Sequence, residues 1–213
     1  RSDVAYLHDA ELTDYLNNIG DRLVAANPSP HHHLLFFAVN DPSINAFALP
    51  GGYVGVHTGL IAAVRNESEL AGVLAHEIAH VSQNHIARMV DSQKSNTLTT
   101  LAALAIAILA ARSDQGQLSQ AALVSAQALS IQNQLDFTRE HEREADRIGL
   151  QTLANAEFSP VGMATFFERL QAQSRFADTS APAYLRTHPL TYERIADIQN
   201  RLAEIKPRQV TDG

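Results

Sequence analysis

The stretch His76-Glu77-Ile78-Ala79-His80 decides how the rest of the chain is read. Each residue of an α-helix advances about 100°, so positions four apart lie only about 40° from one another, one turn apart on a single face. Two imidazoles placed that way can grip one metal ion. Glu77 points about 100° off the face, too far round for a comfortable third ligand but close enough to reach a water held by the ion. It reads as a general base. The surrounding helix is well specified. Asn66 followed by Glu69 has the form of a capping box, Leu70, Val73, Leu74, Ile78 and Val81 recur at helical spacing, and neither Gly nor Pro interrupts positions 73 to 95. An unbroken helix through that range is the expectation.

Hydrolytic zinc needs three protein ligands and one open position. His85 is the nearest further candidate, but it lies about 180° from His76 and about 140° from His80 around the helix, and cannot join them unless the helix breaks. The extended zinc-binding pattern also fails, because Gln83 and Ile86 stand where it requires Gly and His. The third ligand must come from another helix. Residues Glu140-His141-Glu142-Arg143-Glu144-Ala145-Asp146 again read as helical, and Glu142 and Asp146 share a face. Glu142 lies 62 residues past His80, ample chain for a crossover that returns to the metal. Asp146, one turn on, can accept the free ring N–H of a liganding histidine. Glu140 and Glu144 sit about 200° from Glu142 and read as solvated charges, and His141, about 100° away, reads as a surface histidine.

Upstream, residues 33–39 and 53–57 read as strands, with a short strand at Phe47-Ala48 before Pro50-Gly51-Gly52. Pro and two glycines suit a tight turn or an exposed edge, and an exposed edge accepts an extended peptide by main-chain hydrogen bonding. The alternative is an ordinary hairpin that covers the core. His31-His32-His33, between Pro30 and an apolar strand, reads as neither a tag nor a metal patch. Residues 11–26, 160–177 and 192–204 read as further helices. Residues 101–111 are wholly apolar; with 97–100 the segment reaches fifteen residues, short of the about twenty that a spanning helix needs. A second helix-like run over 118–135 follows Ser113-Asp114-Gln115-Gly116. The two runs read as a helical hairpin inserted at about 95–135, either packed into the core or lying over the cleft or a bilayer surface.

At 213 residues the chain reads as a single domain over 1–213 carrying that insertion. A net charge of −7 without a Lys/Arg run gives no footprint for nucleic acid. The absence of cysteine rules out disulfides and thiolate zinc ligands, and fits either redox compartment. The chain begins at Arg1 with no signal sequence, and a mature or trimmed fragment is the expectation. No sequence feature bears on oligomeric state.

Taken in order, Asn45-Ala46-Phe47-Ala48-Leu49-Pro50-Gly51-Gly52, Thr58-Gly59-Leu60, the His76 to His80 helix, Glu142-Arg143-Glu144-Ala145-Asp146 and Thr187-His188-Pro189 resemble the zinc metallopeptidases of the HtpX, CaaX-prenyl-protease and Oma type, nearest their soluble BepA-like (YfgC-like) members. The resemblance runs from about Asp9 to Leu202. It implies one Zn2+ per chain on His76, His80 and Glu142, Glu77 as base and Asp146 in support, the same five residues that spacing selects. It also implies an α+β, predominantly helical fold of the zincin-like (gluzincin) kind, with a small sheet whose edge strand, here Asn45, Ala46, Phe47 and Ala48, lies beside the zinc-binding helix and takes the substrate. His188 alone reads as a turn residue before a proline. The resemblance brings it to the zinc, either to steady the oxyanion or to fill the open position in a resting form. The implied function is a zinc-dependent endopeptidase acting on extended polypeptide by a metal-activated water. The alternative is a latent or chaperone-like protein quality-control module with a plugged zinc site. The implied compartment is the bacterial periplasm; integral relatives carry membrane helices near the insertion, so peripheral membrane contact is a further expectation.

Overall fold

A computed structural model describes residues 6–29, 33–94, 97, 101, 116–176 and 181–205. Asp9 starts helix α1 (Ala10–Ala26) by accepting the Leu12 N–H at 3.0 Å, and the helix turns Leu16, Ile19 and Leu23 inward. Three strands follow, β1 (Leu35–Val39), β2 (Ala46–Leu49) and β3 (Tyr53–His57), in the order β1-β3-β2, with β1 parallel and β2 antiparallel to β3. Pro50-Gly51-Gly52 makes the β2–β3 turn. Its glycines take φ of 95° and 88°, a region that costs Gly nothing and strains other residues. Side chains alternate across the sheet, so Phe36, Ala38, Ala46, Val54 and Val56 enter the core while Leu35, Leu49 and Tyr53 stay outside.

The two edges of this sheet differ. Asn17 of α1 donates its side-chain amide to Phe36 O at 2.8 Å and accepts the Phe36 N–H at 3.0 Å, imitating a neighbouring strand. Leu7 N–H adds a bond to Ala38 O, and Tyr6 bridges Val39. These contacts close the β1 edge, leaving β2 as the other margin of the sheet.

After α2 (Thr58–Ala63) comes the central helix α3 (Glu67–Ser82). Asn66 caps it by accepting the Glu69 N–H at 2.9 Å. The expected capping box is half made: the Glu69 carboxylate turns to Arg65 N–H at 2.8 Å and to Arg169 instead of back to Asn66. α3 is buried nearly all round, as a helix at the centre of a domain must be. It does not run on to residue 95. It stops at Ser82, Asn84 takes a left-handed φ of 53°, and residues 85–94 form a separate helix, α4. Asn tolerates that conformation better than most residues, which lets it end a helix without Gly.

The remaining helices are α5 (Gly116–Asn155), α6 (Val161–Phe176), α7 (Ala183–Thr187) and α8 (Tyr192–Glu204), the last capped by Thr191. The chain is thus mostly helical with one small sheet. It forms two compact units, Arg1–Gln83 with Arg143–Gly213, and Asn84–Glu142. The first holds the main core, in which Leu16, Phe36, Leu70, Leu74, Phe166 and Phe167 are fully enclosed. Of the expected hairpin, residues 116–135 are the first part of α5, while 95, 96, 98–100 and 102–115 lie outside the described residues, as do His31 and His32. Among the described residues no helix is long and apolar enough to cross a membrane.

α3 and α6 are tied by a buried ion pair. Arg169 Nη1 and Nη2 each lie 2.7 Å from a different Glu69 oxygen, and Nη2 also donates to Ala63 O. Burial by itself would raise the Glu69 pKa; the Arg169 hydrogen bonds and the Arg65 N–H outweigh it and hold it down. A carboxyl whose folded pKa is depressed contributes stability above its unfolded pKa and loses it as pH falls through the folded one. Glu69→Gln is therefore expected to cost on the order of 3 kcal/mol in urea unfolding at neutral pH. The difference from wild type should shrink once the pH drops below the usual carboxylate range.

Candidate metal centre

His76 and His80 project from the same face of α3, and their Nε2 atoms lie 3.0 Å apart. A third imidazole arrives from α7. The His188 N–H closes that short helix onto Tyr184 O at 2.8 Å, and its ring stacks on Tyr184 at 4.7 Å between centroids. This sets His188 Nδ1 3.3 Å from His76 Nε2. Glu142 is the last residue of its unit and stands one residue ahead of Arg143 in the unbroken helix α5. One ligand atom from each of His76, His80, Glu142 and His188 lies within 4.8 Å of every other.

The donor set fits a divalent ion with nitrogen and oxygen preference. Tetrahedral bonds of about 2.0 to 2.1 Å place two ligand nitrogens about 3.3 Å apart, and the imidazole separations here are 3.0 and 3.3 Å. Orientation fits too. His76 Nδ1 lies 3.0 Å from Asp146 Oδ1, a pair that requires the ring proton on Nδ1 and turns the Nε2 lone pair toward the cluster. Glu77, 1% exposed, has Oε1 3.5 Å from His188 Nε2. The site therefore brings together His76, His80, Glu142, Asp146, Glu77 and His188.

Sequence reasoning missed Arg194. This arginine, 3% exposed, donates from Nε and Nη2 to the two Asp146 oxygens, each at 2.8 Å, and from Nη1 to Pro189 O at 2.9 Å. Burial alone would raise the Asp146 pKa; the Arg194 charge, with the His76 hydrogen bond, outweighs it and leaves the carboxyl lowered. A buried carboxylate demands a cation, so the need was legible, but nothing in the sequence picks one of sixteen Lys and Arg residues.

Two further histidines differ from expectation. The break at Asn84 takes His85 off the α3 face. It is 2% exposed and stacks on His141 at 4.1 Å with rings 8° apart, while Phe137 meets His141 edge-on. His141 is consequently buried, at 1% exposure, and not a surface residue. Glu140 is exposed and Glu144 half-buried.

The strand expected to take substrate lies at the sheet margin. Asn45 O accepts the His57 N–H at 3.0 Å, so residues 45, 47 and 49 bond to β3. By alternation the backbone groups of Ala46 and Ala48 face away from the sheet. Ile44 shares their direction, and its carbonyl already accepts the Tyr184 N–H at 3.1 Å, which sets α7 at one end of this edge.

The chain belongs to peptidase family M48, which it matches over residues 10–202. It is 43% identical over 211 residues to the beta-barrel assembly-enhancing protease of Escherichia coli (strain K12), covering 99% of this chain and 43% of that one. Over 207 residues it is 42% identical to the putative beta-barrel assembly-enhancing protease of Vibrio cholerae serotype O1, covering 97% and 42% respectively. Over 201 residues it is 34% identical to the mitochondrial metalloendopeptidase OMA1 of Schizosaccharomyces pombe, covering 93% and 56%. The chain thus spans less than half the length of the first two of these relatives.

Loss of the Asp146 carboxylate should loosen the histidine it orients. Asp146→Asn is expected to weaken metal binding by about 10- to 100-fold, measured by competition against a chromophoric chelator; unchanged affinity would show that the carboxylate does not set the ligand.

Proposed function

We propose that this chain is a zinc-dependent endopeptidase of the zincin-like (gluzincin) kind, with His76, His80 and Glu142 holding one Zn2+ and Glu77 as general base. The observation that carries the reading is the meeting of the two α3 histidines with a carboxylate from α5, backed by Asp146 on His76. When bound, the ion supplies Lewis acidity, which polarises a peptide carbonyl and brings the pKa of a water down to about 7.

The chain's own groups do the rest. Asn45, Ala46, Phe47 and Ala48 hold the polypeptide in extended form along β2, chiefly through the outward backbone of Ala46 and Ala48. Glu77 accepts the proton of the attacking water on its carboxylate and passes it to the leaving amine. Its burial keeps the proton from bulk solvent, and its Oε1, 3.5 Å from His188 Nε2, stands beside the histidine cluster. Asp146 keeps the His76 proton on Nδ1 throughout, and Arg194 keeps Asp146 ionised. Residues 1–213 act as one metallopeptidase domain bearing a helical insertion. The compartment proposed is the bacterial periplasm, and an assembly-related quality-control role agrees with the names of two relatives.

A second reading has its own observation. His188 Nδ1 lies among the donors, 3.3 Å from His76 Nε2, which is where a fourth ligand would stand in a latent form. The active reading instead gives His188 the oxyanion. His188→Ala separates the two: higher turnover supports the plug, lower turnover supports oxyanion stabilisation, and unchanged turnover removes both roles.

Glu77→Gln tests the base. The variant should keep one metal ion per chain and lose about 10²- to 10⁴-fold in casein cleavage. Near-normal, chelator-sensitive proteolysis by that variant would contradict the assignment.

A further inference from the structure

Among the described residues the outer face of the sheet is apolar and open. Leu35, Tyr53 and Leu49 stand side by side across the three strands and are 46%, 45% and 43% exposed. In the next row the half-buried rings of Phe37 and Phe47 meet edge-on at 6.2 Å across Gly55. A Cβ on Gly55 would come within 2.4 Å of the Phe47 ring, so the glycine lets that ring lie flat over β3. Scattered exposed leucines need no explanation; a contiguous apolar face running to the margin of a sheet does.

The register says what that face meets. Residues 45, 47 and 49 spend their backbone groups on β3, while among the described residues none bonds to the outward groups of Ala46 and Ala48. An antiparallel strand added there forms its hydrogen-bonded pairs with Ala46 and Ala48. Its residue opposite Phe47 then falls in a non-hydrogen-bonded pair, where Cα atoms approach to about 4.5 Å and side chains are closest. Its residues opposite Phe47 and Leu49 lie on the open apolar face. Those opposite Ala46 and Ala48 lie on the other face, where methyl groups select for little. α7, bonded to Ile44, ends the open edge on one side and fixes which positions are read.

We propose, resting on the reading of β2 as the substrate edge, that Phe47 and Leu49 determine specificity by selecting extended segments whose side chains are apolar at every second position. Tyr53 supports Leu49 from the neighbouring strand. Backbone pairing supplies affinity irrespective of sequence, and the apolar row adds a period-two preference to it.

The test compares two quenched peptides of identical composition with the metal-loaded protein. In one, apolar and polar residues alternate; in the other they run apolar-apolar-polar-polar, so no register places two apolar residues at i and i+2. The alternating peptide should be cleaved with about 3- to 10-fold higher kcat/KM, expressed mainly in KM. Leu49→Thr, at an exposed strand position that Thr suits, should remove most of that preference. Leu35→Thr, on the same face but two strands from the edge, should keep it. Anisotropy binding of the same peptides to Glu77→Gln should give the same ratio without catalysis. Equal cleavage and equal binding of the two peptides, or equal effects of Leu49→Thr and Leu35→Thr, would overturn the inference while leaving the hydrolase reading intact. Binding with the stated preference but no chelator-sensitive cleavage would overturn the hydrolase reading and uphold this one.

Discussion

Asp146 lies between an imidazole and a guanidinium, and the candidate metal centre is built around that carboxylate. Its oxygens are 3.0 Å from His76 Nδ1 and 2.8 Å from two Arg194 nitrogens, with all three side chains almost wholly out of water. An unpaired charge at such depth costs several kcal/mol. The three residues are therefore interdependent, and each belongs to a different helix: His76 to α3, Asp146 to α5, Arg194 to α8. Arg194 also holds Pro189 O, directly after His188, so the carboxylate that orients one histidine is coupled through one side chain to the loop of another.

The same economy of contacts shapes the sheet. One margin is closed by the Asn17 amide and the segment at Tyr6 and Leu7, while among the described residues the other is met only at Ile44, by the start of α7. Tyr184 therefore serves two purposes. Its N–H ends the open edge of β2, and its ring carries the His188 imidazole. The end of the β2 edge and the placing of His188 beside His76 are set by one short helix.

Much of this was legible because it follows from periodicity. α3 declares itself by apolar spacing and the Asn66 cap, α1, α6 and α8 lie within a residue or so of the stretches that read as helices, and β3 lies at the expected 53–57. The pairing of His76 with His80 follows from angles on one helix, whereas the arrival of Glu142 beside them depends on how α5 packs, which angles alone do not give. What stayed hidden depends on single residues whose effect is tertiary. The left-handed turn at Asn84 has no periodic signal, yet it separates α4 from α3 and buries His85 against His141. Arg194 sits in the first turn of a helix rich in charged residues, where nothing local marks it as buried. The Glu69 side chain satisfies the capping pattern on paper but finds a stronger partner in Arg169, one hundred residues away.

The proposed function requires a single ion held jointly by α3 and α5. X-ray absorption at the zinc edge, on protein loaded with one equivalent of Zn2+, addresses that directly. The predicted result is a four-coordinate nitrogen and oxygen shell at about 2.0 to 2.1 Å with imidazole outer-shell scattering, weakened in His76→Ala and altered in Glu142→Gln. Substoichiometric binding, or a six-oxygen shell without imidazole scattering, would contradict it.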